Sequence, residues 1–325
     1  MLSPSRVRPW CYAMAFAFSG FSLAAERSAL PDEITATGGQ GNGQSGAGAA
    51  LISDQAAIHI NPAMLYKHKT YDVNGTYIWP VEGRPFYKVA AIDGMTSKWA
   101  TAFEYTGFTE GLENRTDRDQ DSPARRRASL AFSVPTDKIA LGFAGHYVEA
   151  DDPTRDEEKT VKGFTLGAGT VIPFSESFRF GASIENFNNK KVRNLSPRTI
   201  RAGFAWEDKT GSLGFHADYR DRERSEYLED LPLDENGTLA ARDPSVDPVQ
   251  GESEKMMIVG AQLQTMDVVR VFASAGRQVS GEKSEITSGG IGLFQKNFSL
   301  AYSVSRIYPY SDLQNSLSLS ITMKL

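Results

Sequence analysis

From about residue 71 onward the chain alternates apolar side chains with small or polar ones over segments of roughly ten residues, the period of a strand with two unlike faces. The last segment is the clearest: Leu317, Leu319, Ile321, Met323 and Leu325 alternate with Ser316, Ser318, Ser320, Thr322 and Lys324. Phe298, Leu300, Tyr302 and Val304 alternate with Ser299, Ala301 and Ser303, and Ile139, Leu141 and Phe143 alternate with Ala140, Gly142 and Ala144. The same holds for Phe178, Phe180, Ala182 and Ile184, and for Leu213, Phe215, Ala217 and Tyr219. The pattern predicts fourteen strands, near 71–79, 86–92, 98–106, 126–134, 138–148, 161–171, 177–187, 197–206, 212–220, 254–264, 267–277, 285–294, 297–305 and 315–324.

A soluble β-sandwich alternates as well, with its second face typically charged and wet. Here the second face is rich in Gly, Ala, Ser and Thr with scattered charge, which suits a crowded polar lumen. The connections separate the two architectures. From the third strand on, long polar links (Glu110 to Ala124, Glu149 to Thr160, Asn188 to Ser196, Asp221 to Ser253) alternate with short ones such as Pro135-Thr136-Asp137, Pro173 to Glu176 and Asp208 to Gly211. Short turns at one end and long polar loops at the other are the rhythm of an outer-membrane barrel with its long loops extracellular. Tyr77, Trp79, Trp99, Tyr105, Tyr147, Phe164, Trp206 and Tyr219 fall near strand ends with outward parity, where interfacial aromatic girdles sit.

The N-terminus fits export. Arg6 and Arg8 precede an apolar run from Cys11 to Leu23, then small Ala24 and Ala25 and charged Glu26-Arg27, the layout of a signal peptide cleaved after Ala24 or Ala25. Cys11, the one cysteine, leaves with that signal, so the mature chain forms no disulfide and has no thiolate nucleophile or thiolate metal site. Three parts follow: a signal peptide at 1–25, an N-terminal segment at 26–70 and a transmembrane barrel at 71–325. No stretch of the 325 residues approaches the roughly 20 apolar residues of a spanning helix, and a formal charge of −5 argues against nucleic acid as a partner.

Residues 26–70 read as neither strand nor turn. Gly38-Gly39-Gln40-Gly41-Asn42-Gly43-Gln44-Ser45-Gly46 runs into Ala47 to Ile52, then Ser53 to Ala57, and the block ends at Asn61-Pro62-Ala63-Met64-Leu65. Gly41, Gly43 and Gly46 formally match a dinucleotide fingerprint, but no strand precedes them and no βαβ unit surrounds them, so no cofactor is expected. Glycines there permit close backbone approach and positive φ. Irregular backbone at membrane depth is tolerated only inside a protein lumen, which predicts a plug. A Gly- and Ala-rich block, a short Asp-containing turn and Asn-Pro-Ala before the first strand resemble the FadL-type outer-membrane transporters of long-chain fatty acids and other hydrophobic compounds. PorV-like and TraF-like outer-membrane proteins share a similar block. The resemblance covers roughly residues 38–65, with Asn61, Pro62 and Ala63 matching its Asn-Pro-Ala. It implies an all-β, transmembrane antiparallel barrel of about fourteen strands with the N-terminal block as a hatch in the lumen. It also implies a channel for uptake or binding of hydrophobic small molecules. The alternative implied is a non-transporting barrel that anchors or helps assemble a surface, secretion or conjugation complex. The chain departs from the pattern in being short for a fatty-acid transporter and in ending on Leu325, where an aromatic usually helps the outer-membrane assembly machinery.

Candidate chemistry is sparse. Of His59, His68, His146 and His216, no pair has the spacing of a metal motif, so no metal is expected and a lumenal hydrogen-bond role is the reading for His146 and His216. No nucleophile–base constellation stands out among the many Ser and Thr residues, and an enzyme is not expected. By parity Glu104, Arg179, Glu185, Arg201, Asp218, Arg220 and Arg270 point inward, as ion pairs holding plug to wall or as the lining of a polar path. Met256, Ile258 and Phe272 are apolar at inward positions, placed near the loop end of strands ten and eleven. With Tyr227, Leu228, Leu231 and Leu233 of the longest loop they form a candidate hydrophobic pocket. Expected partners are outer-membrane lipid and lipopolysaccharide, a hydrophobic ligand and the outer-membrane assembly machinery.

Overall fold

The computed structural model describes residues 39–80, 85–108, 125–151, 160–189, 192, 196–223, 253–265, 268–280, 284–308 and 313–323. The signal peptide expected at 1–25 lies outside these residues, as do 26–38, most of the long links and, with them, Tyr227, Leu228, Leu231 and Leu233.

The described chain opens with a short helix α1 (Gly39–Gly43), a second, α2 (Ala57–Ile60), and a 3-10 helix over Pro62–Lys67. Fourteen strands follow: β1 (Tyr71–Pro80), β2 (Phe86–Asp93), β3 (Ala100–Phe108), β4 (Arg125–Pro135), β5 (Ala140–Asp151), β6 (Thr160–Pro173), β7 (Phe178–Glu185), β8 (Thr199–Glu207), β9 (Leu213–Arg222), β10 (Glu254–Thr265), β11 (Val269–Ser280), β12 (Glu285–Phe294), β13 (Phe298–Tyr308) and β14 (Leu313–Met323). Each pairs antiparallel with its sequence neighbours, and β1 pairs with β14 from Tyr71↔Met323 to Pro80↔Gln314, so the sheet closes. Closure removes both edges, which is what lets a sheet stand in hydrocarbon without unpaired backbone groups.

Alternation decides the faces. On β5, Leu141, Phe143 and Tyr147 are exposed while Ala144, His146 and Val148 are buried; on β14, Leu317, Leu319 and Ile321 are exposed and Ser316 is buried. An exterior of exposed Leu, Ile, Val and Phe all round the barrel would aggregate in water; against lipid it is the normal outer surface. Aromatics collect toward both ends. At the short-turn end Trp99 stacks on Phe132, Phe132 lies against Phe143, and Phe178 stacks on Phe204; at the other end Tyr77 stacks on Trp79, which meets Tyr302.

All fourteen expected strands are present, and the shifted ends have local causes. β3 begins at Ala100 rather than 98 because the Asp93 carboxylate accepts from the backbone N–H of Met95 and Thr96, at 3.0 and 2.9 Å, and holds a bend. β5 begins at Ala140 because Thr136 Oγ1 donates to the Ile139 carbonyl at 2.7 Å and closes the turn. β7 stops at Glu185 because Asn186 turns to φ 57°, its amide oxygen accepting from Thr165 and its nitrogen donating to the Pro197 carbonyl.

Candidate functional site

The inner segment, residues 39–70, meets the inward side chains of the wall almost all the way round. Its course begins with glycine. A Cβ on Gly43 would lie 2.0 Å from the Phe272 ring, so only glycine fits between α1 and β11. Ser45 and Gly46 turn through φ 57° and 65° and Gly48 through 98°, where an L side chain is strained. That turn aims two adjacent backbone N–H groups, of Gly48 and Ala49, at the Asp218 carboxylate of β9, at 3.0 and 2.8 Å. His216 Nδ1 donates to the same carboxylate at 2.7 Å, so Asp218 accepts three hydrogen bonds from inside the barrel.

Asn61-Pro62-Ala63 ties the other end. Asn61 Oδ1 accepts from the Ala63 N–H at 3.1 Å and caps the 3-10 helix, whose first residue, Pro62, has no N–H to satisfy. Asn61 Nδ2 donates to the Ala49 carbonyl at 2.7 Å and to the Thr170 carbonyl of β6 at 3.1 Å, so one side chain joins both halves of the segment to the wall. Ser133 donates to the Ala63 carbonyl, Ser183 to that of Ile60, Arg179 to that of Ala50 and Arg201 to that of His59. Irregular backbone buried in a barrel needs such partners one carbonyl at a time. Small wall residues make room: a Cβ on Gly142 would lie 2.0 Å from the Ala63 nitrogen, and one on Gly181 would lie 2.3 Å from the Ala49 oxygen. Below the Asn-Pro-Ala turn, Ile58, Met64 and Leu65 pack into Ile92, Ala100, Ala102, Ala131, Ala140 and Val171 at the short-turn end. Side chains of this kind each contribute roughly 1.5–3 kcal/mol on full burial.

The opposite wall is hydroxylic. Ser45 bonds Ser274 and Ser288, each at 2.8 Å, and Asn42 donates to Ser303 and Ser316 and accepts from Ser305. Gln40 donates to Gln262 at 2.7 Å.

Most inward charges expected from parity are buried and partnered. Arg201 holds Glu185 at 3.0 Å, and Arg179 holds Glu207 at 2.8 Å with Lys67 of the segment on the same carboxylate at 2.6 Å. Burial, with Arg179 beside it, pushes the Lys67 ammonium below the usual lysine range, and Glu207 opposes that shift. Arg220 donates to Met256 Sδ at 3.4 Å. Arg270 is only partly buried, lies over the Phe294 ring and donates to Gln264 at 3.0 Å and to Gln40 of the segment at 3.5 Å.

The apolar residues divide. Met256 and Ile258 lie toward the long-link end and pack with Ile286, Ile307 and Ala47. Phe272 does not join them, and its expected place near the loop end is corrected. β11 rises from the turn before Val269, and Phe272 pairs with Gln262 in the short-turn half, where its ring fills the gap opposite Gly43 and Gly290. The sequence assigns no role to Lys88 or His59. Lys88 is 1% exposed and donates to Glu104 at 3.2 Å; its inward parity on β2 was the available signal. His59 carries no local signal, because its partners Glu104 and Glu185 come from β3 and β7.

No protein-family model matches the chain, and no curated protein matches it by sequence. Solved structures do. The monoaromatic hydrocarbon channel CymD aligns with a TM-score of 0.61 at 12% identity, over 89% of this chain and 98% of that one. The Ralstonia pickettii toluene transporter TbuX aligns at 0.62 and 14%, over 88% and 98%, and a Pseudomonas aeruginosa FadL homologue at 0.53 and 11%, over 88% and 97%. The chain has the fold of these barrels. At such identities the likeness carries the fold alone, and the site rests on the contacts above.

Proposed function

We propose that this chain is an outer-membrane channel that takes up hydrophobic small molecules, with residues 26–70 as a plug in its lumen. The observation that carries the reading is the apolar patch of Met256, Ile258, Ile286 and Ile307, an oily stretch of inner wall that rests on Ala47 of the segment at the long-link end. The apolar wall at the short-turn end is filled by the segment's own Ile58, Met64 and Leu65. The patch at the long-link end lies beneath Ala47, and a shift of the segment uncovers it as a place where apolar cargo leaves water. The likeness in fold to a monoaromatic hydrocarbon channel and a toluene transporter supports the same class of cargo. Lipid and lipopolysaccharide cover the apolar exterior in this reading. The role is passage rather than catalysis, as in the channels of like fold.

The test is uptake of radiolabelled toluene and of a labelled long-chain fatty acid by cells with and without the gene, a small sugar serving as control. Faster entry of one hydrophobic label, with the sugar unchanged, is the expected result. Equal rates for both would leave the anchoring or assembly role as the better account, and a stable protein partner recovered in detergent would then support it.

A further inference from the structure

The contact between α2 and the wall contains more than a salt bridge needs. One ligand atom each from His59, His146 and Glu185 lies within 4.8 Å of the other two, and all three residues are buried. They come from three separate elements, α2, β5 and β7. The His59 and His146 rings stack at 5.2 Å between centroids.

Each residue is also held by the atom it does not offer. His146 Nδ1 lies 2.9 Å from Ser129 Oγ; with Nδ1–H donating there, Nε2 keeps its lone pair. That Nε2 is buried and has no hydrogen-bond partner among the described residues. His59 Nε2 lies 2.7 Å from Glu104 Oε1, a carboxylate that can only accept, which leaves Nδ1 facing Glu185 Oε1 at 3.3 Å. Glu185 Oε2 is taken by Arg201 at 3.0 Å. Ligand atoms bonded at about 2.0 Å in a tetrahedral site lie roughly 3.3 Å apart, so the His59–Glu185 pair already has the right separation. Carboxylate behind one histidine, hydroxyl behind the other and guanidinium behind the glutamate is the outer-shell support that orients metal ligands.

We propose that His59, His146 and Glu185 bind one Zn2+-class transition-metal ion, through His59 Nδ1, His146 Nε2 and Glu185 Oε1, and that the ion staples the inner segment to the wall. Water completes the tetrahedron. Binding uses the lone pair of His59 Nδ1, and any proton held on that atom leaves to solvent. Lys88, Arg127 and Arg201 set three positive charges against Glu104 and Glu185. Two imidazole nitrogens and one carboxylate oxygen disfavour Ca2+ or Mg2+, which take six or more oxygen ligands, and suit ions that bond imidazole strongly enough to bind against that charge. No sequence motif announces the site because its ligands lie far apart in the chain.

The full-length barrel, purified in detergent, stripped with chelator and dialysed against zinc chloride, is expected to keep about one zinc per chain after gel filtration. Co2+ in place of zinc is expected to give the visible ligand-field bands of a four-coordinate site. His146→Gln, checked for folding by heat-modifiable migration, is expected to weaken zinc at least about tenfold. Zinc far below one per chain in the wild type, absence of the cobalt bands, or undiminished zinc in folded H146Q would each overturn the site. The cobalt spectrum of the wild type decides the matter even if H146Q fails to fold.

Discussion

Asp218 shows how much one side chain does here. Its carboxylate takes two backbone N–H groups from a segment of irregular backbone, and a third donor from His216. Asp218→Ala leaves all three donors buried without a partner, at about 1–3 kcal/mol for each orphaned group. The variant is expected to unfold several degrees lower in detergent and to exchange the Gly48 and Ala49 amides faster, as read by hydrogen exchange; unchanged exchange at those two amides would refute the role. Residue roles were unevenly legible. Parity placed Asp218, Glu104, Arg179, Glu185, Arg201 and Arg220 inward, because alternation is a local property of a strand. What each one meets is set by closure of the barrel, and so His59 between Glu104 and Glu185 was not readable.

At the scale of elements, strands and segment were shaped together. Gly142 and Gly181 read in the sequence only as small lumenal residues; in the structure each marks where segment backbone touches wall. Gly142→Val places a carbon 2.0 Å from the Ala63 nitrogen, and backbone cannot yield as a flexible side chain does. The expected outcome is a displaced Asn-Pro-Ala turn, seen as cleavage of the segment by added protease in intact barrels and as raised single-channel conductance; a variant as resistant and as closed as the wild type would contradict the packing. Strand positions were legible to within a few residues because the apolar period and the turn residues agree. Height within a strand was less so. Phe272 was placed by its neighbours in sequence, whereas its depth depends on which end β11 starts from.

The described barrel has an apolar exterior and an interior where hydroxyl, amide and charged side chains are buried beside the apolar ones, so its outer face is the reverse of a soluble domain's. Leu130, 60% exposed, and buried Ser129 are neighbours in sequence with opposite surroundings. Leu130→Arg in the belt is expected to cost up to about 2–4 kcal/mol, as for a charge near the bilayer midplane, falling toward the interface. Refolding into lipid vesicles measures it, and a cost near zero would show that this face is not in hydrocarbon. The outline of fourteen strands, long links at one end and an N-terminal block was legible because each rests on composition and period. The route proposed for cargo was not, since it rests on how the segment sits against Met256 and Ile258.

The central claim is that this apolar patch lies on the path of a hydrophobic cargo. Ile258, 0% exposed, is its most enclosed member and takes no part in the hydrogen bonds that hold the segment. The most direct test is the initial rate of labelled toluene uptake by cells carrying the wild-type chain or Ile258→Glu at equal surface levels, each barrel confirmed as folded. The account predicts that the charged variant falls toward the rate of cells lacking the gene; uptake equal to wild type in a folded Ile258→Glu barrel would contradict it.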